Sequence, residues 1–177
     1  MRLLIAMAVA MTPALPAAAD YWNYKDWHVS VERIDTGEDL RVTCYAHTGG
    51  DGDPVWALEI SNGDAGPPDF FPVPRLVEIA PRHYETVMQD QQDVKFQFDT
   101  GNTVLGRATA YLNNEGLFQA ESTPDNNSVL SMLMAMRRGS KMEAIVEQQV
   151  VATASLSGFT AAYGKMMDEC GFALAIN

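Results

Sequence analysis

Apolar and polar residues alternate along much of this chain, and the alternation marks strands. Trp27, Val29 and Val31 alternate with His28, Ser30 and Glu32, the period of a half-buried strand. Residues 35–38 make the turn that follows. Leu40, Val42, Cys44 and Ala46 then alternate with Arg41, Thr43, Tyr45 and His47, which turns Cys44 to the apolar side and predicts a hairpin. After a loop over residues 47–54, Trp56, Leu58 and Ile60 mark a third strand. Residues 75–80 read as a short edge strand stopped by Pro81, and residues 82–92 are too polar to assign. Val94, Phe96 and Phe98 open a second hairpin that returns through residues 104–112, with another short strand over 117–120. Residues 20–26 read as an aromatic lead-in.

The period then changes. Val129, Met132, Leu133 and Met136 share one helical face. Asn126, Asn127 and Ser128 offer a cap. Arg137 and Arg138 suit the negative end of the helix dipole, and Gly139 follows. Residues 141–148 and 149–156 predict a last hairpin. A closing helix carries Phe159, Ala162, Tyr163, Met166 and Cys170 on one face, with Lys165, Asp168 and Glu169 toward solvent and Ser157 as its N-cap. The expected fold is mainly β within the α+β class. It is an antiparallel, sandwich-like core of six to eight strands with two short helices, the C-terminal one packed on the sheet.

The first residues change the compartment. Met1 and Arg2 give a positive start, residues 3–11 are apolar, Pro13 and Pro16 break the run, and Ala17, Ala18 and Ala19 offer a cleavage site. This is the order of a secretory signal peptide, and the run falls short of the roughly 20 residues that span a bilayer. Cleavage after Ala19 leaves residues 20–177 as one expected domain, periplasmic or secreted, with no further membrane segment. The whole chain has a net charge of −11, and losing Arg2 makes it more negative still. Such a surface repels nucleic acid and anionic lipid. Cys44 and Cys170 are the only cysteines, both predicted to point inward, so an exported chain pairs them. Two buried free thiols are the alternative. No C-x-x-C spacing argues for a redox pair.

Few residues suggest chemistry. Gly49, Gly50, Asp51, Gly52 and Asp53 form an acidic turn without the ligand ladder of an EF-hand. His28 and His47 fall on the polar faces of neighbouring strands, and His83 stands apart, so no metal set is complete. No G-x-S-x-G elbow or H-E-x-x-H motif is present. The methionines of the C-terminal third (Met132, Met134, Met136, Met142, Met166 and Met167) have spacings that favour core packing over a soft-metal site or an adaptable groove.

The stretch Ser155-Leu-Ser-Gly-Phe-Thr-Ala-Ala-Tyr163 resembles the "SL-x-GF-x-A-A" closing segment of the invasion-associated locus B family of exported bacterial proteins. The step from Met136 through Arg137, Arg138 and Gly139 to Met142 is similar to that family's helix, basic residue, Gly, strand. Asp26-Trp-His-Val29 resembles its opening "DW-x-V", and Cys44 with Ala46 its early "C-x-A". The chain departs from the family pattern in lacking a cysteine after the opening strand and a pair in the middle. The resemblance implies a periplasmic, β-rich, disulfide-stapled protein and transfers no catalytic residue. The expectation is a non-enzymatic binding or envelope-interaction protein without a cofactor, its partner an envelope protein or a small ligand. Alternatives are an exported hydrolase or metal-dependent enzyme, and a structural component of the envelope stress response.

Overall fold

A computed structural model describes residues 18–174 and 176. The expected signal peptide therefore lies outside the described residues, apart from Ala18 and Ala19. Ten strands follow in order: β1 (Ala18–Tyr24), β2 (Trp27–Asp35), β3 (Leu40–Thr48), β4 (Val55–Ser61), β5 (Arg75–Ile79), β6 (Asp93–Phe98), β7 (Thr103–Leu112), β8 (Phe118–Pro124), β9 (Lys141–Val146) and β10 (Gln149–Ser155). Helix α1 (Val129–Arg138) lies between β8 and β9, and α2 (Phe159–Glu169) follows β10. Strands hold 46% of the described residues.

All ten strands belong to one sheet in the order β1-β2-β3-β4-β5-β8-β7-β6-β9-β10, and each neighbouring pair is antiparallel. The sheet folds back over itself. Trp56 on β4 meets Phe96 on β6 edge to face with ring centroids 5.5 Å apart, although β5, β8 and β7 lie between them in the sheet. The inner face thus makes a sandwich-like core from alternate residues such as Val29, Val31, Leu58, Ile60, Leu76 and Phe98.

Helix α2 packs on β1, β2, β3 and α1. It buries Phe159, Ala162, Tyr163, Met166 and Met167, and each large apolar side chain so covered stabilises the fold by roughly 1.5–3 kcal/mol. Its polar side is less exposed than expected. Lys165 and Glu169 are half-buried and ion-paired, and Glu169 also pairs with Arg33 of β2, which holds Asp20 of β1 as well. Partnership draws these charges down onto the sheet.

Four local expectations are corrected. Most of the expected lead-in, residues 20–24, belongs to β1, hidden from the pattern because aromatic residues occupy both of its faces: Trp22 and Tyr24 pack against the core while Tyr21 stands on the outer face. β5 is interior, between β4 and β8, since Pro81 falls past the strand end and leaves the ladder intact. Neither helix has a side-chain N-cap. Ser128 precedes α1 without a capping bond, and Gly158, not Ser157, caps α2 with φ of 97°. The strand count is ten, above the expected six to eight: β1 is a strand the pattern did not show, and the short segments β5 and β8 are both full members of the sheet.

Gly139 sits in extended backbone (φ −83°), and packing explains it. A Cβ there would lie 2.9 Å from Asp99 Oδ1 and 3.0 Å from Leu156 Cδ1. Asp99 in turn accepts the Ser140 N–H on both carboxylate oxygens, at 3.0 and 3.1 Å. Those bonds hold the Asp99 carboxyl below its ordinary range.

The unassigned residues 82–92 fold against the sheet. Glu78 accepts the backbone N–H groups of Val87 (2.6 Å) and Met88 (3.0 Å), and Met88 is fully buried. Gln91 and Gln92 exchange backbone bonds with Ala108 of β7 at 2.9 and 2.8 Å.

Candidate functional site

The sequence-predicted residues divide between a staple, an outer-face ladder and a rim. Cys44 on β3 and Cys170 after α2 form a disulfide with Cα atoms 6.1 Å apart, across a separation of 126 residues. Both are buried, which removes them from thiol exchange and makes the bond structural. Among the described residues, no helix is long and apolar enough to cross a membrane.

His28 and His47 are direct cross-strand partners on the outer face of β2 and β3, with rings 5.3 Å apart. Tyr21 stacks on His28 at 5.8 Å, and Tyr45 lies against His47 at 5.1 Å. The His28 ring also pairs with the Asn23 side chain. His47 Nδ1 is buried with no hydrogen-bond partner among the described residues. Burial, and then the His28 charge, holds the His47 pKa below its ordinary value. A ring that cannot satisfy a proton on Nδ1 prefers to stay neutral. His83 is exposed on the 82–92 segment with φ of 73° and does not join the pair. Among the described residues, no three His, Cys, Asp or Glu side chains come together as a metal set.

The ladder continues toward Arg75. Tyr45 stands opposite Glu59, and burial raises its pKa against the opposing pull of the Arg75 charge. Arg75 reaches Glu121 at 3.5 Å and Glu59 at 3.9 Å, on the floor of an open groove of about 370 Å³ walled by Phe70 and Val73. Two carboxylates flank the one guanidinium, so the groove keeps a net negative lining and offers no free cation among the described residues.

Loop 49–54, read in the sequence as a turn, is where the clefts converge. Asp53 N–H donates to Gly50 O at 3.1 Å and closes the turn. Gly49 is required there, since a Cβ would lie 2.3 Å from the Pro54 carbonyl oxygen. A cleft of about 340 Å³ runs from Gly52 and Pro54 past Ile79, Tyr84 and Val87 to Val151. A second, of about 230 Å³, lies between the loop, Val77 and Ile79. A third, of about 370 Å³, separates Thr48, Gly49, Asp53 and Pro54 from residues 151–155 of β10. Ile79 (50% exposed), Tyr84 (68%) and Val87 (44%) form an apolar rim on an otherwise acidic chain. Sequence reasoning missed these three. They come from a strand end and an irregular segment and share no period.

The methionines belong to the core: Met132, Met136, Met142, Met166 and Met167 are buried, and Met134 is half-buried. The Ser157 N–H donates to Ser155 Oγ at 3.2 Å, and its hydroxyl caps nothing in α2. No protein-family model, curated protein or solved structure matches the chain.

Proposed function

We propose that this chain is an exported, non-enzymatic binding protein that engages a partner of the cell envelope through the rim around loop 49–54. The observation that carries the reading is the convergence of three clefts on one loop, beside exposed Ile79, Tyr84 and Val87. Ile79 ends β5 and the segment of Tyr84 and Val87 is tied to that strand through Glu78, so these apolar side chains are already positioned for docking, which is what partner surfaces exploit. The signal-peptide pattern and the formed disulfide support a periplasmic setting. The sequence resemblance to the invasion-associated locus B family points the same way.

The test is affinity capture from an envelope extract with the purified protein and with an Ile79→Asp, Val87→Asp double variant. A partner retained by the first and lost by the second supports the rim. Identical capture by both would remove the rim from the function. Cell fractionation with N-terminal sequencing checks the compartment, and a mature chain beginning at Asp20 is the expected result.

A further inference from the structure

β10 ends the sheet, and one side of it pairs with β9. Backbone groups of successive residues in an antiparallel strand point to opposite edges, and the N–H and C=O of one residue share an edge. Leu156 N–H donates to Ser140 O on the β9 side, at 2.9 Å. Ser155 must therefore turn outward, and its carbonyl indeed accepts the Trp27 indole N–H at 3.0 Å. By the same alternation Thr153 turns its N–H and C=O outward, into the slot of about 370 Å³ facing Thr48, Gly49, Asp53 and Pro54. No described residue pairs with the Thr153 backbone on that side.

Open edges usually carry lysine, proline or a covering element. Gln149–Ser155 carries no charge and no proline, and its guard is a bulge at Val151. Val150 is exposed, and Val151 reaches the apolar cleft with Ile79 and Val87. Asp53 lines the wall opposite β10, Asp51 lines the adjoining cleft beside Ile79, and Glu85 lines the cleft that Val151 reaches; none of the three has an ion-pair partner among the described residues. A second copy, with its own charge of −11, meets repulsion at this wall.

We infer that β10 is a strand-addition site for an extended partner segment that alternates apolar with Lys or Arg residues. The segment pairs its backbone with Thr153, sets its apolar residues against Val151 and Ile79, and places its cations at Asp51 and Asp53. Backbone bonds supply affinity and the alternate side chains supply selection. This inference rests on the rim reading and names the partner's chemistry.

The probe is a fluorescent acetyl-(Val-Lys)4-amide peptide, compared with its fully N-methylated form and with (Val-Glu)4. Binding of the first at least tenfold tighter than either control is expected, with hydrogen exchange at the Thr153 amide slowed at least tenfold. An Asp51→Lys, Asp53→Lys variant should reverse the preference toward (Val-Glu)4. Equal binding of the N-methylated peptide, or unchanged Thr153 exchange at saturation, overturns strand addition. So does failure of (Val-Lys)4 to bind. Concentration-dependent Thr153 protection without peptide, with a dimer in light scattering, would replace the partner by a second copy. In each of these failures the rim reading still stands if envelope capture is lost in the Ile79→Asp, Val87→Asp variant.

Discussion

The indole of Trp27 meets the ring of Phe159 edge to face, with centroids 5.0 Å apart. Both are fully buried. The same indole holds the last carbonyl of β10, and Asp26 N–H donates to Ser157 O at 3.3 Å. The start of β2 and the turn before it thus clasp the junction between β10 and α2. Gly158 makes the clasp feasible, because a Cβ on it would lie 1.7 Å from the Tyr24 carbonyl oxygen.

Gly158→Ala is therefore expected to be severe. A left-handed φ costs an L-residue roughly 1–2 kcal/mol, and forced backbone displacement adds about 1–3 kcal/mol. Urea unfolding should show a loss of at least about 2 kcal/mol. A variant as stable as the parent would mean that the turn has another conformation.

Removing the disulfide should cost about 4–5 kcal/mol by the chain-entropy model for a loop of this size. Its closed loop spans most of the described chain, with a separation of 126 residues. The check is urea unfolding of a Cys44→Ala, Cys170→Ala variant against the parent. Thiol counting in denaturant should find no free thiol before reduction and two after it.

Tyr163 carries a buried hydroxyl with no partner among the described residues, and burial pushes its pKa from the ordinary 10.0 to about 12. Leaving such a group unpaired costs about 1–3 kcal/mol. Tyr163→Phe should thus raise stability by about 1 kcal/mol. The folded form holds the proton above the pH at which the unfolded chain loses it, so stability falls as pH rises from 10.0 toward about 12. The variant should lose less stability over that range.

His47 gives the opposite pH dependence. Its folded pKa lies below the ordinary 6.5, so the unfolded chain binds the proton first as pH falls. The stability of the neutral ring is fully present above 6.5 and is lost as pH falls through that value to the folded pKa. Thermal melts from pH 7.5 to 5.5 should show a decline that His47→Asn makes shallower. Equal slopes in both proteins would place the dependence elsewhere.

Most of the strands were legible because half-buried strands alternate strictly, as Val42, Cys44 and Ala46 do against Arg41, Thr43 and Tyr45. The same period correctly turned Cys44 inward and placed His28 and His47 on one face. β1 was not legible because α2 covers its Trp22, while Tyr21 lies flat on His28, so both faces need aromatics. The rim escaped entirely. Ile79, Tyr84 and Val87 become neighbours only when residues 82–92 dock through Glu78, a tertiary contact with no local sequence signature.

The sheet order has one further result for a cut chain. Strands β1 to β5 precede the exposed residues Arg82 and His83, and β6 to β10 follow them. A single tryptic nick after Arg82 would divide the protein into a piece carrying Cys44 and a piece carrying Cys170. The β5–β8 ladder and the disulfide would still hold the two together. Such a nicked protein should run as one band on a non-reducing gel and as two after reduction.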